Sequence, residues 1–196
     1  MKPKAIRILG IDPGSRLTGF GCVDSIGNRL KYVNSGTLEL NKDKKTSLEK
    51  RLFILDQSLE KVISKLEPDI LVVEKVFFAK NAVSALKLGQ ARGVAIVCGI
   101  RNGLSFFEYN PTEIKQSVVG HGRADKAQVA EMVKMLTGVN EFATADESDA
   151  LAIAICHAHH HGMNVLPETL KALKKTPKDS KKRNSLSGAV RHLLKD

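Results

Sequence analysis

Four acidic residues stand where a carboxylate is costly unless a cation holds it: Asp12, Glu74, Asp146 and Asp149. Asp12 closes the run Ile6-Arg7-Ile8-Leu9-Gly10-Ile11-Asp12, and Pro13-Gly14-Ser15 follows at once. An Ile- and Leu-rich run stopped by Pro-Gly reads as a strand with the acid at its C-terminal end. Asp69-Ile70-Leu71-Val72-Val73-Glu74 repeats the pattern, a short apolar run without helical period that suits a strand buried on both faces. From Ala145 to Ile155 the small and apolar residues predict a buried helix, on which Asp146 and Asp149, three apart, share a face. Glu147 lies about 100° round that helix from Asp146, and is expected to be exposed or to sit behind the pair.

Such a set suits metal-assisted chemistry. Carboxylate oxygens prefer hard cations, Mg²⁺ or Mn²⁺, and no Cys or His pattern offers a competing soft-metal site. Two such ions about 4 Å apart can clamp the attacking and leaving oxygens of an in-line phosphoryl displacement. One acid alone would be a cap or a surface charge. Two acids closing core strands and a pair opening a core helix together point to a metal-dependent active site, with Asp12 expected to be shared between ions, Glu74 and Asp149 on one side and Asp146 on the other.

The elements that must position these acids follow from the pattern. Leu17 to Ile26 continues as a second strand, Gly27-Asn28 makes a tight turn, and Leu30 to Leu40 returns as a third. Leu48, Leu52, Leu55, Leu59, Val62 and Leu66 recur at steps of three or four, a helix with one face on a sheet, ended by Pro68. A second helix is expected near Ala82 to Arg101, then a strand at Leu104 to Tyr109, then helices near Thr112 to Val118, Lys126 to Leu136 and Ala145 to His160. Three antiparallel strands followed by crossover helices and parallel strands predict an α/β fold with helices on both faces of the sheet. Ala85, Gly89 and Gly93, at i, i+4 and i+8, form a small-residue stripe that would pack on the sheet or let another backbone approach. His157, His159, His160 and His161 crowd the end of the last helix; they read as surface there, where partial positive charge suits the helix dipole. Gly120-His121-Gly122-Arg123 reads as a plain turn or as a loop from which Arg123, with Lys126, could meet phosphates.

The chain's 196 residues fit one domain, of which ~100–200 are usual, and 42% apolar content supports a core. No uninterrupted 18-residue apolar run occurs and the N-terminus lacks a signal-peptide pattern, so the sequence predicts a soluble, cytoplasmic protein without a membrane. Cys22, Cys98 and Cys156 sit in apolar stretches without CxxC spacing, as buried thiols in a reducing compartment do. Of the net charge of +10, residues 171–196 carry +7 and residues 1–170 carry +3. Most of the basic excess is therefore a tail, and residues 163–196 are expected to be disordered beyond a domain at 1–162, with a short helix at Leu186 to Leu194. That tail is a solubilising segment or a non-specific phosphate tether weakened by salt.

Gly10-Ile11-Asp12-Pro13-Gly14-Ser15 with Thr18-Gly19, Val73-Glu74-Lys75-Val76-Phe77, Ala79-Lys80-Asn81, Ser84 to Val94, and Asp146-xx-Asp149-Ala150-Leu151-Ala152 resemble the RuvC family of Holliday junction resolvases, from about Ile8 to His157. The resemblance implies a ribonuclease H-like fold with a mixed five-stranded sheet, and Mg²⁺-dependent paired nicking of four-way junction DNA by a homodimer. It also implies two Mg²⁺ ions per active site, with Mn²⁺ as a substitute, and a branch-migration motor partner (RuvA and RuvB). Asp12, Glu74, Asp146 and Asp149 fall on the family's four acidic positions. Phe77 matches an aromatic implicated in opening base pairs, where a stack contributes about 1–3 kcal/mol. Lys115 and Lys126 match basic positions facing DNA, and Lys80 falls within a matching motif. The helix bearing Ala85, Gly89 and Gly93 matches the dimer interface. The tail departs from the family pattern. Three other readings share some of these residues: an actin-like kinase or ATPase, which needs a second phosphate loop and two related domains; a non-catalytic junction-binding module, which would have degraded acids; and a ribosomal-RNA-processing nuclease of the same fold, usually in a shorter chain.

Overall fold

The computed structural model describes residues 5–41, 45–75 and 82–164. Phe77, Lys80 and the basic tail beyond Asn164 lie outside the described residues. Strands β1 (Ile6–Asp12), β2 (Leu17–Ile26) and β3 (Arg29–Glu39) precede helix α1 (Leu48–Leu66) and strand β4 (Ile70–Glu74). Helix α2 (Ala82–Arg101), strand β5 (Ser105–Tyr109) and helices α3 (Pro111–Val119), α4 (Lys126–Thr137) and α5 (Ala145–Asn164) follow. The sheet runs β3-β2-β1-β4-β5, with β1, β2 and β3 antiparallel and β1, β4 and β5 parallel. This is the mixed five-stranded sheet expected, and each element begins within a few residues of its expected place.

Alternation along the strands assigns the two faces. Ile8, Ile70 and Val72 face one way, into a core with Ile114, Val118, Val129, Val133, Leu151 and Ile155 of α3, α4 and α5. Their neighbours Leu9, Ile11, Leu71 and Val73 face the other, against Leu59 and Ile63 of α1 and Ala95 and Cys98 of α2. Because successive side chains point to opposite faces, Asp12 follows Ile8, and Glu74 follows Val72, onto the α5 face. Ile11 pairs with Val73, so the two acids close neighbouring parallel strands.

Glycines bring α5 close to the sheet. Gly10 pairs with Gly21, and Gly19 pairs with Asp12. A Cβ on Gly21 would lie 2.6 Å from the Leu151 nitrogen, and one on Gly10 would stand 2.7 Å from the Ala154 nitrogen. At Gly19 it would collide with the Asp146 carbonyl. No L side chain fits these positions without moving the helix, so the backbone of α5 rests on a bare track across β1 and β2.

One reading changes in the fold, and one left open is narrowed. His157 is not surface: it is buried, its Nδ1 is 2.9 Å from the Tyr109 hydroxyl, and its ring lies against Phe107. Burial pushes its pKa down to about 4, so it is neutral where a surface His at a helix end would carry charge. The small side of α5 turns it inward because the helix crosses the sheet to β5 and ends over that strand. On α2, Gly89 and Gly93 face open space and Ala85 is half-buried, while Leu86, Val97 and Ile100 are exposed. That helix alone, among the described residues, is long and apolar enough to cross a membrane, although Lys87, Arg92 and Arg101 interrupt it. The three cysteines are free and buried, as their apolar contexts predicted.

Candidate active site

Each acid is held by the local logic of its element. After β1 the chain turns sharply at Pro13-Gly14, and the fully buried Thr18 hydroxyl braces that turn, accepting from the Gly14 N–H at 3.3 Å and donating to the Gly14 carbonyl at 3.2 Å. Arg51 of α1 donates to the Ser15 carbonyl at 2.7 Å, pinning the far side of the turn. At the end of β4, Arg92 of α2 donates to the Glu74 carbonyl at 3.2 Å and pairs with Glu108 of β5. Asp146 and Asp149 lie in the first two turns of α5, half-buried and lowered onto the sheet by the glycine track.

Electrostatics brings the four together. Burial pushes the Asp12 carboxyl up to about 7, and the fields of Asp149, Glu74 and Asp146 push the same way, against Lys126. Glu74 is raised by burial and by Asp149, while Lys126 and Lys115 pull it down. Asp149, Glu74 and Asp146 are thus close enough to disfavour charge on Asp12, as carboxylates sharing a site do. Among the described residues, no three of them are gathered into a ready coordination shell.

One cation already stands among them. Lys126 Nζ lies 2.8 Å from Asp149 Oδ2, and that hydrogen bond, with the fields of Asp149, Asp12 and Asp146, raises its pKa. Lys126 is the first residue of α4, where the helix dipole disfavours a positive charge, so the acids opposite account for its placement. Lys115 on α3 reaches the same field from another direction. Arg123 is exposed in the turn between α3 and α4. An oxygen-only donor set that penalises its own charge and has drawn in an ammonium fits a hard divalent cation.

Glu147 does something the sequence reading did not assign. It is buried, not exposed; its Oε1 accepts from Ser35 Oγ of β3 at 3.1 Å and its Oε2 from the Ala143 N–H at 2.7 Å. The spacing Thr144-Ala145-Asp146-Glu147 is the capping-box signature that announces it.

Comparison with known proteins places this arrangement. The sequence profile of the family described as crossover junction endodeoxyribonuclease RuvC matches residues 8–157. The chain is 51% identical over 162 residues to a crossover junction endodeoxyribonuclease RuvC of Geobacter metallireducens, covering 82% of this chain and 98% of that one. It is 52% identical over 159 residues to the Citrifermentans bemidjiense protein of that name, covering 81% and 96%. Thermus thermophilus RuvC, solved in complex with a Holliday junction substrate, superposes with a TM-score of 0.75 at 29% identity, covering 81% of this chain and 96% of that one. The yeast mitochondrial Holliday junction resolvase Ydc2 shares the fold, with a TM-score of 0.62 at 12% identity over 88% of each chain.

Proposed function

The chain belongs to the RuvC family of crossover junction endodeoxyribonucleases, and on that premise we propose that its four carboxylates hold the Mg²⁺ ions with which it resolves Holliday junctions. The observation that carries the assignment is the Asp12 carboxyl, buried and raised by all three of the other acids. Asp12 is the shared ligand. Glu74 feels Asp149 as its acidic neighbour, which supports a division with those two on one side and Asp146 on the other. When bound, two such ions polarise the phosphoryl group and clamp the attacking and leaving oxygens.

The chain's own groups do the rest. Lys126 and Lys115 sit at the rim of the acids, where a phosphate of the cut strand must pass, and Arg123 extends that rim. With Asp149 holding a cation, the Lys126 ammonium that now pairs with it would be free to pair with phosphate. Phe77 and Lys80, which follow Glu74 in the sequence, complete the DNA contacts, Phe77 by stacking on a base near the crossover.

A junction presents two symmetric strands to cut, so one active site is half an enzyme. The exposed side of α2 supplies the second copy: Leu86, Gly89, Gly93, Val97 and Ile100 fall on one stripe, and an isologous dimer buries it against itself. The same stripe explains the helix's apolar character without a membrane. The cytoplasm, and a branch-migration motor of RuvA and RuvB, complete this reading.

The experiment is cleavage of a synthetic four-way junction, a linear duplex and an RNA–DNA hybrid, each with and without Mg²⁺. Paired nicks in the junction alone, dependent on Mg²⁺, are expected. Cutting of the hybrid in preference to the junction, or cutting without a divalent ion, would overturn the proposal.

A further inference from the structure

The carboxylate between the two acids of α5 faces away from them. Glu147 is 9% exposed, and its partners belong to two different parts of the molecule. Ala143 is local, just before the helix, and the Glu147 N–H completes the cap by donating to Thr144 Oγ1 at 3.4 Å. Ser35 is 112 residues away in sequence, on β3, and also contacts the Tyr32 hydroxyl at 3.1 Å. Beside it, the Thr37 and Thr144 hydroxyls are hydrogen-bonded across the same gap. Ser35 pairs with Gly21 and Thr37 with Gly19 in the sheet, so a hydroxyl row on β3 runs alongside the glycine track.

We propose that Glu147 is a positioning residue that fastens the first turn of α5 to β3 and thereby sets where Asp146 and Asp149 stand; this rests on reading those two as metal ligands. A capping box alone fastens a helix only to its own preceding residues. The bond to Ser35 adds a register between helix and sheet. Without it the first turn lies on glycines and keeps only the Thr37–Thr144 hydroxyl pair, one residue before the helix, to hold it to β3. A ligand pair displaced by about 1 Å forfeits much of what alignment contributes to catalysis. The carboxylate suits the task because it accepts two hydrogen bonds at once at the positive end of the helix.

The test compares full-length wild type, Glu147→Ala, Glu147→Gln, Ser35→Ala and Asp12→Asn. It measures Mn²⁺ affinity by calorimetry, amide exchange in the first turn of α5, and junction affinity in Ca²⁺. Glu147→Ala should weaken Mn²⁺ binding about 10–100-fold, the usual cost of losing a group that orients metal ligands. Ser35→Ala, losing one of the carboxylate's two hydrogen bonds while the Ala143 bond remains, should weaken it about 2–10-fold. Glu147→Gln should stay within about threefold of wild type, because its oxygen can accept from Ala143 while its amide donates to the Ser35 hydroxyl. Faster exchange should be confined to the first turn of α5, with junction affinity unchanged. Wild-type Mn²⁺ affinity in Glu147→Ala overturns the proposal, as it does in Ser35→Ala should the first variant not fold. Equal loss in Glu147→Gln and Glu147→Ala overturns it too, by making charge rather than position the cause. Asp12→Asn separates the two readings: Mn²⁺ binding retained there sinks the metal site itself, whereas loss there with Glu147→Ala and Ser35→Ala intact sinks only the positioning role.

Discussion

Burying the Asp12 carboxyl among other acids is costly, and its protonation gives that cost a pH signature. Its carboxyl titrates near 7 in the folded protein against 3.8 for the free group. Below pH 4 both states hold the proton and the burden is absent; between those values the unfolded chain has shed it and the folded chain has not. Without metal, stability should therefore fall as pH rises toward and through 7, by on the order of 4 kcal/mol in full. Thermal melts of wild type and Asp12→Asn in chelator from pH 4 to 8 check this: the substituted protein should be the less stable at no pH above 7, and added Mg²⁺ should close the gap. Equal pH dependence in the two proteins would contradict it. In cleavage the order reverses. Removing the proposed shared ligand should forfeit several kcal/mol of charge stabilisation, so Asp12→Asn should cut at least about 10³-fold more slowly while binding the junction as before, because the lysines remain. A rate near wild type in single-turnover cleavage would remove Asp12 from the site.

At the scale of elements, α5 decides whether there is a site at all. Its seat depends on three glycines in strands, and adding one methyl at Gly21 directs a carbon into the helix backbone. Gly21→Ala should lower the denaturant midpoint by an amount worth about 1–3 kcal/mol, the usual cost of overpacking. Cleavage should fall further than stability explains, since the displaced helix carries two of the four acids. Wild-type cleavage in a destabilised Gly21→Ala protein would argue against the track. What the sequence made legible here was periodic: the strands ending at Asp12 and Glu74, the i, i+3 pair and the helix boundaries all follow from local pattern. What it concealed was cross-element. Gly10, Gly19 and Gly21 are visible only as glycines until β1 and β2 are paired, although glycine inside a strand is itself a sign of close approach. Glu147 was left between an exposed place and one behind the pair because helical angle alone cannot say what lies on the other side; β3 fills it and decides for the second. His157 was misplaced because α5 runs on to Asn164, which leaves His157 inside the helix against Phe107 and Tyr109 of β5. Lys126 was matched to DNA contact, but its bond to Asp149 could not be seen without α4 and α5 side by side.

For the whole molecule, the exposed apolar stripe of α2 makes assembly the governing question. Leu86 is 69% exposed and Ile100 55%, values that a monomer has little reason to keep on one stripe. Replacing both with Glu should weaken self-association about 100-fold or more, measured by sedimentation equilibrium, because a central apolar anchor becomes a buried unpaired charge. Junctions should then be nicked in one strand at a time, with each protomer's metal affinity unchanged. Wild-type association in that variant would move the interface elsewhere. One further consequence follows from where α5 lies in the chain. Half of the proposed ligand set sits on the last of the described elements, so a polypeptide not yet synthesised as far as residue 149, or clipped before residue 145, lacks it and should bind a junction without cutting it.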